Sequence, residues 1–196
     1  RATEIALETF AAPWVPVLVA APAIRRYQCF GHLFAAAPGG IFRLDRHPVM
    51  AAHPVTPMDE ADVARHIARQ TDLPVGLLDL EALRDDAAAS TRLAEVRAEG
   101  ARIVCLDTMD EDDLARCGAL VWETRGEGAF CVGSQGIEYA LVAHWRRTGL
   151  LGPEEPPQGI GRARGMVAVS GSVSAVTAAQ IGRALSHGFA AIPLDP

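Results

Sequence analysis

The sequence contains no lysine; all 18 of its basic residues are arginine. A P-loop lysine, a Schiff-base lysine and a lysine general base are therefore excluded for this chain. Long apolar runs are missing too. A membrane-spanning helix needs about 18 or more consecutive apolar residues, and the apolar stretch Trp14–Ile24 is short and broken by Pro16 and Pro22, so it reads as a buried strand. An excess of positive charge is absent: the net charge is −6, with no basic stripe, which argues against nucleic acid as a partner. The four cysteines, Cys29, Cys105, Cys117 and Cys131, form no CxxC pair, which removes a zinc ribbon. Cys105 and Cys131 lie inside apolar runs, where a thiol acts as a small hydrophobe, and a reducing cytoplasm is the expected compartment. No G-x-G-x-x-G follows a strand pattern, so dinucleotide binding has little support.

What is present is the material of an α/β protein. The 196 residues are 49% hydrophobic and 21% charged, enough for one full domain or one domain with the start of another. Apolar runs predict strands at Val15–Ala21, Val75–Leu80, Arg102–Asp107 and Ala129–Gly133. Helical patterns lie between and after them, at Met58–Thr71, Asp86–Glu99, Asp110–Leu120 and Gly136–Arg147. Thr56 followed by Pro57 reads as an N-cap with proline at N1, Gly100 as a helix stop, and Asp110–Asp113 as an acidic first turn that suits the helix dipole better than it suits a metal. Strands alternating with helices predict a parallel, Rossmann-like sheet covered on both faces. The paired Gly39 and Gly40 suggest a hairpin-like excursion within Gly31–Ala52. Residues 152–165, rich in Gly and Pro, read as a linker between a domain at 1–151 and a further segment at 166–196. That segment reads as one βαβ unit: strand Met166–Ser170, turn Gly171–Ser174, helix Thr177–Ser186 and strand Phe189–Leu194. The helical pattern at the first residues and the lack of an initial Met lead to the expectation of a piece of something longer.

In such a sheet ligands bind beyond the carboxyl ends of the strands, which here carry Pro22–Arg26, Asp79, Asp107–Thr108 and Gly133–Gly136. Two blocks run from a strand through a Gly/Ser turn into a helix. In Val169–Gln180, Ser170, Ser172, Ser174 and Thr177 could hold a phosphate or carboxylate at a helix start, or Ser174 could simply cap the helix. In Cys131–Tyr139, Gly133, Ser134 and Gly136 fit either a ligand turn or close helix–sheet packing. Arg25 and Arg26 are candidates for an anionic substrate or for plain solvation. His47, His53 and His66 have no metal-ligand spacing, and His53 also fits a turn-shaping role. Asp107 fits a base, a ligand contact or a cap.

Four blocks, Pro22–Ala35 (PAIRRYQCFGHLFA), Arg43–Met58 (RLDRHPVMAAHPVTPM), Val132–Ala140 (VGSQGIEYA) and Val169–Gln180 (VSGSVSAVTAAQ), resemble successive blocks of the four-carbon acid sugar kinase family. The resemblance implies an ATP- and Mg²⁺-dependent kinase of a small sugar acid, built from two α/β domains. Residues 1–151 would bind the sugar acid and 166–196 would open the nucleotide domain. It places Ser170, Gly171, Ser172, Ser174, Thr177 and Gln180 on the nucleotide side. Arg25, Arg26, Gly31, His53, Gly133 and Ser134 fall on the substrate side, with no protein metal ligand and no catalytic base assigned. Where many members carry a Gly-Arg-Thr-Thr version, this chain reads PAIRRYQCFG, which points to a different acid. A non-catalytic module that binds a small acid with the same fold is the alternative reading, and a homodimer is an open expectation.

Overall fold

The computed structural model describes residues 2–128, 130–153, 155–159, 161–172 and 174–193, with the side chain of residue 86 not described. It forms two units, residues 1–153 and 154–196. The strands of the first unit are β1 (Val15–Leu18), β2 (Arg26–Cys29), β3 (His32–Ala37), β4 (Gly40–Arg43), β5 (Val75–Leu78), β6 (Ile103–Leu106) and β7 (Val132–Gly133). Its helices are α1 (Ala2–Phe10), α2 (Val63–Ala68), α3 (Leu80–Leu83), α4 (Asp86–Ala98), α5 (Glu111–Glu123) and α6 (Gln135–Arg147).

The main sheet has four strands in the order β5-β6-β1-β7, all pairs parallel. Every residue of β1 (VPVL) and β6 (IVCL) is buried, because alternate side chains enter two different cores. Leu18, Val104 and Leu106 pack with Leu93, Leu114 and Leu120 of α4 and α5. Val15, Val17, Ile103 and Cys105 pack on the other face with Leu7 of α1 and Val63 of α2. Two apolar faces per strand are the mark of a parallel sheet sandwiched by helices. The α/β parallel-sheet reading of the sequence is therefore correct.

Local chemistry sets the helix starts. Asp62, Asp79, Asp85 and Asp110 each accept a backbone N–H two or three residues on, satisfying donors that the first turn leaves free. Gly100, at φ +107°, ends α4 in the left-handed conformation that favours glycine.

Several expected boundaries move. The helix expected over Met58–Thr71 is only Val63–Ala68, capped by Asp62 and not by Thr56. Residues 58–62 are extended instead: Met58 N–H donates to Met50 O, Leu33 N–H donates to Ala61 O, and Asp62 bridges to His32. Thr56 turns back on His53. Replacing Asp62 with alanine is expected to cost about 1 kcal/mol in chemical denaturation, and Thr56→Ala almost nothing at this helix; the reverse order would restore the earlier start. The strand expected to reach Ala21 ends at Leu18, and Val132–Gly133 is all that forms of Ala129–Gly133, whose first residue lies outside the described residues.

The excursion is a three-stranded antiparallel sheet, β2-β3-β4, which begins earlier than the paired glycines suggest. Cys29 pairs with His32, so the β2–β3 loop is Phe30-Gly31, both at positive φ (46° and 78°). That is the combination a two-residue type I′ hairpin requires. Ala37 pairs with Gly40 across Pro38-Gly39, with Gly39 at φ +101°.

In the second unit the expected helix is present as α7 (Ala175–Ser186), capped by Ser174. The strands expected on either side are not formed: 166–170 and 189–193 have no strand partners among the described residues, and Leu194 lies outside them. A strand exists through its neighbour's hydrogen bonds. Val167 and Ile192, 91% and 82% exposed, have no neighbouring layer in this unit.

Candidate functional site

The carboxyl edge of the parallel sheet is crossed by β2. Near one end of β2, the Arg26 guanidinium (Nη1) donates to Gln135 Oε1 at 3.4 Å, just beyond β7. In the middle, Gln28 exchanges two backbone hydrogen bonds with Thr108, each 2.9 Å, just beyond β6. At the far end, Gly31 meets β5: a Cβ there would lie 3.4 Å from Leu77 Cδ2. Asp107 lies beneath this bar and is fully buried. Its Oδ1 accepts from Gly31 N (2.9 Å) and from Gln28 Nε2 (3.2 Å). Asp107 Oδ2 and Gln28 Oε1 are buried without a hydrogen-bond partner. Burial pushes the Asp107 carboxyl above its ordinary value, and the nearby Asp79 adds to this. The Gly31, Gln28 and Phe30 contacts oppose the shift without cancelling it.

The residues singled out in the sequence fall in distinct places. Arg25 is exposed at φ +59° and ends the short 3₁₀ turn Pro22–Ile24. Arg26 is exposed on the edge. Gly31 is buried at the hairpin turn, where its carbonyl also accepts Val63 N–H. Gly133 and Gly136 sit where the chain leaves β7. A Cβ would come within 2.3 Å of Leu18 O at the first and 1.7 Å of Ala20 O at the second, so close packing requires glycine at both. Ser134 donates its hydroxyl to Val19 O at 3.1 Å and leaves the start of α6 without a side-chain cap. His53 shapes its own turn: its Nδ1 accepts from Thr56 N at 3.0 Å. His47 does the same for Val49 and Met50 in the sequence-similar His47-Pro48-Val49 step. In the second unit Ser172, Ser174 and Thr177 form a chain of hydroxyl contacts of 2.9–3.3 Å, with Ser170 accepting Ser172 N–H. Gly171 and Gln180 are exposed beside them.

The family model described as a sugar-binding N-terminal domain matches residues 1–141. The chain belongs to the sugar-binding N-terminal domain family. It is 48% identical over 195 residues to the 3-oxo-isoapionate kinase of Paraburkholderia graminis, covering 100% of this chain and 41% of that protein. It is 32% identical over 168 residues to the 3-oxo-tetronate kinase of Cupriavidus necator, covering 85% of this chain and 37% of that protein. The chain thus spans about two-fifths of the length of these curated kinases. A crystal structure from Haemophilus influenzae superposes with a TM-score of 0.64 at 24% identity, over 75% of this chain and 33% of that one. A Bordetella bronchiseptica domain of unknown function, crystallised with citrate as a domain-swapped dimer, gives 0.53 at 22%, over 72% and 32%. These two likenesses establish the fold.

Within the sugar-binding domain the sequence does not single out Gln28, while it offers Asp107 as a base, a ligand contact or a cap. The signal for Asp107 was a lone acid after a fully apolar strand; its partners lie 76 and 79 residues away. An opening of about 550 Å³ lies on the outer face of β2-β3-β4, among Tyr27, Phe34, Ile41 and Met109. Its arginine, Arg43, is already clamped by Asp45 at 2.7 and 2.5 Å, so its chemistry does not match a small polar acid. No helix of the described residues is long and apolar enough to cross a membrane.

Proposed function

We propose that this chain is the sugar-acid-binding part, with the opening of the nucleotide-binding part, of an ATP-dependent kinase that phosphorylates a hydroxyl of a small oxo sugar acid. The observation that carries this reading is identity of 48% to a 3-oxo-isoapionate kinase over all of this chain, against 32% to a 3-oxo-tetronate kinase. The difference favours the isoapionate-type acid as substrate. Phosphoryl transfer asks mainly for positioning and charge neutralisation, and a chain without lysine can meet both with arginine and helix starts.

On this reading residues 1–151 form the substrate domain, 152–165 the linker and 166–196 the start of the nucleotide domain, in a cytoplasmic protein. The substrate side comprises Arg25, Arg26, Gly31, His53, Gly133 and Ser134. Arg26 meets the acid's carboxylate beside the uncapped start of α6. The nucleotide side comprises Ser170, Gly171, Ser172, Ser174, Thr177 and Gln180, with the serine and threonine hydroxyls on ATP phosphate. Among the described residues no group of three or more His, Cys, Asp or Glu could hold a metal ion. Mg²⁺ would accompany the nucleotide, held largely by phosphate and water, and no residue of this chain is assigned to it. Homodimerisation belongs to the same proposal.

The test is coupled ADP release by the complete protein with a panel of 3-oxo and plain sugar acids. Turnover is expected, fastest with the isoapionate-type acid. Binding of an acid without turnover would leave a non-catalytic module instead. In the same assay Ser172→Ala is expected to raise the KM for ATP about tenfold and leave that for the acid unchanged. An unchanged KM for ATP would remove the serine cluster from the nucleotide site.

A further inference from the structure

We infer that Asp107 is a positioning residue for the sugar acid: from beneath β2 it fixes the Gln28–Gly31 stretch, and through it Arg26, over the carboxyl edge of the sheet. The inference rests on the kinase reading above and extends it to a residue outside the proposed substrate contacts.

Three observations meet at this point. Asp107 reaches both the middle and the end of β2, through Gln28 Nε2 and Gly31 N. Arg26 and Gln28 are two apart on one strand and so share a face, which makes the lateral placement of Gln28 the lateral placement of Arg26. The arrangement is also poor as mere packing: two adjacent, fully buried side chains keep one acceptor each unpartnered. An unpaired buried polar group costs stability that an apolar side chain of similar size would not. Local rules broken in this way concentrate at functional sites, and this breach lies on the edge where parallel α/β sheets take their ligands. Asp107 is too deeply covered to touch substrate itself. Its effect runs through β2, and a displaced arginine loses its hold on a carboxylate before it alters the chemistry of transfer.

The experiment uses the complete protein and compares wild type with Asp107→Leu, Asp107→Asn and Gln28→Met, with KM and kcat measured for the sugar acid and for ATP. Asp107→Leu keeps the branched shape of the side chain and removes the acceptor. It is expected to raise the KM for the acid at least about tenfold while kcat and the KM for ATP stay within about threefold. Asp107→Asn keeps Oδ1 as an acceptor for Gly31 and is expected to restore the KM to within about twofold of wild type. Gln28→Met severs one of the two ties and is expected to fall between, and it serves as the test if Asp107→Leu does not fold. An unchanged KM in Asp107→Leu, or in Gln28→Met if it stands alone, overturns the inference. A collapse of kcat in Asp107→Asn also does, since the carboxyl would then be a catalytic group. If wild type binds the acid without turnover, the kinase reading fails and dissociation constants in the same order still support positioning. If wild type neither binds nor turns over any acid of the panel, both readings fall.

Discussion

Gly136→Ala is expected to be the most damaging single-methyl change in the sugar-binding domain. A Cβ at this position would lie 1.7 Å from the carbonyl oxygen of Ala20 and 2.9 Å from its carbon. Both are backbone atoms of the buried segment that follows β1, so no side chain can swing aside. The position lies in α6 and is not at positive φ, so conformation alone would favour alanine by roughly 1 kcal/mol. The steric term opposes this and wins, because α6 must slide off the sheet end by more than an ångström. Overpacking of this kind costs about 3 kcal/mol, which for a domain of this size is a drop of ~10 °C in melting temperature. Gly118 makes the same kind of contact, 2.0 Å from Ala140 O, and is expected to behave alike. Gly182 in α7 meets nothing within 4 Å, and Gly182→Ala should leave stability unchanged or slightly raised. Equal melting of wild type and Gly136→Ala would show that α6 does not sit this close to β1.

The second large effect is a divergence with pH between two fully buried aspartates. Burial alone would raise Asp113, but it accepts the Arg84 fork at 2.9 and 3.0 Å and the Met109 N–H at 3.1 Å. With Arg116 these hold its carboxyl below the ordinary value. Asp107 has no cation against it, and burial leaves it raised; Asp79, Cys29 on β2, Cys105 on β6 and Cys117 on α5 are the ionisable groups that face it. A depressed carboxyl adds stability above its unfolded pKa of about 3.9 and loses it as pH falls through the folded value. A raised one works in reverse: its penalty is absent in acid and grows as pH rises above about 3.9 through the folded value. Asp113→Asn should therefore be less stable than wild type from pH 8 down to about pH 4, by about 2 kcal/mol since Arg84 is half exposed, with the gap closing only in stronger acid, as pH falls below about 3.9 through the lowered folded value. Asp107→Asn should match wild type near pH 4 and be the more stable protein at pH 8. Melting of both variants across this range decides the matter. A loss of stability in Asp107→Asn that grows toward pH 8 would mean that Asp107 is ionised and paired.

Local runs of the sequence were enough to establish the parallel α/β sheet, since VPVL and IVCL are apolar at every position and only a strand buried on both faces accepts that. They also established the helix ends at Asp110, Gly100 and Ser174, because a cap is a contact between residues two or three apart. Motif resemblance led to the family. The tertiary structure alone decided what lies over the sheet edge. Residues 58–62 have helical spacing, yet Leu33 and His32 draw them into extended pairing. Cys29 to His32 becomes a hairpin turn because Asp107, 76 residues away, offers Gly31 its acceptor. Asp107 itself reads as an acid at an open strand end and is instead covered by β2. Contacts of this range depend on which strand passes over which. Two fully buried aspartates of one domain thus end with opposite pKa shifts, according to whether an arginine or a glutamine is folded against them.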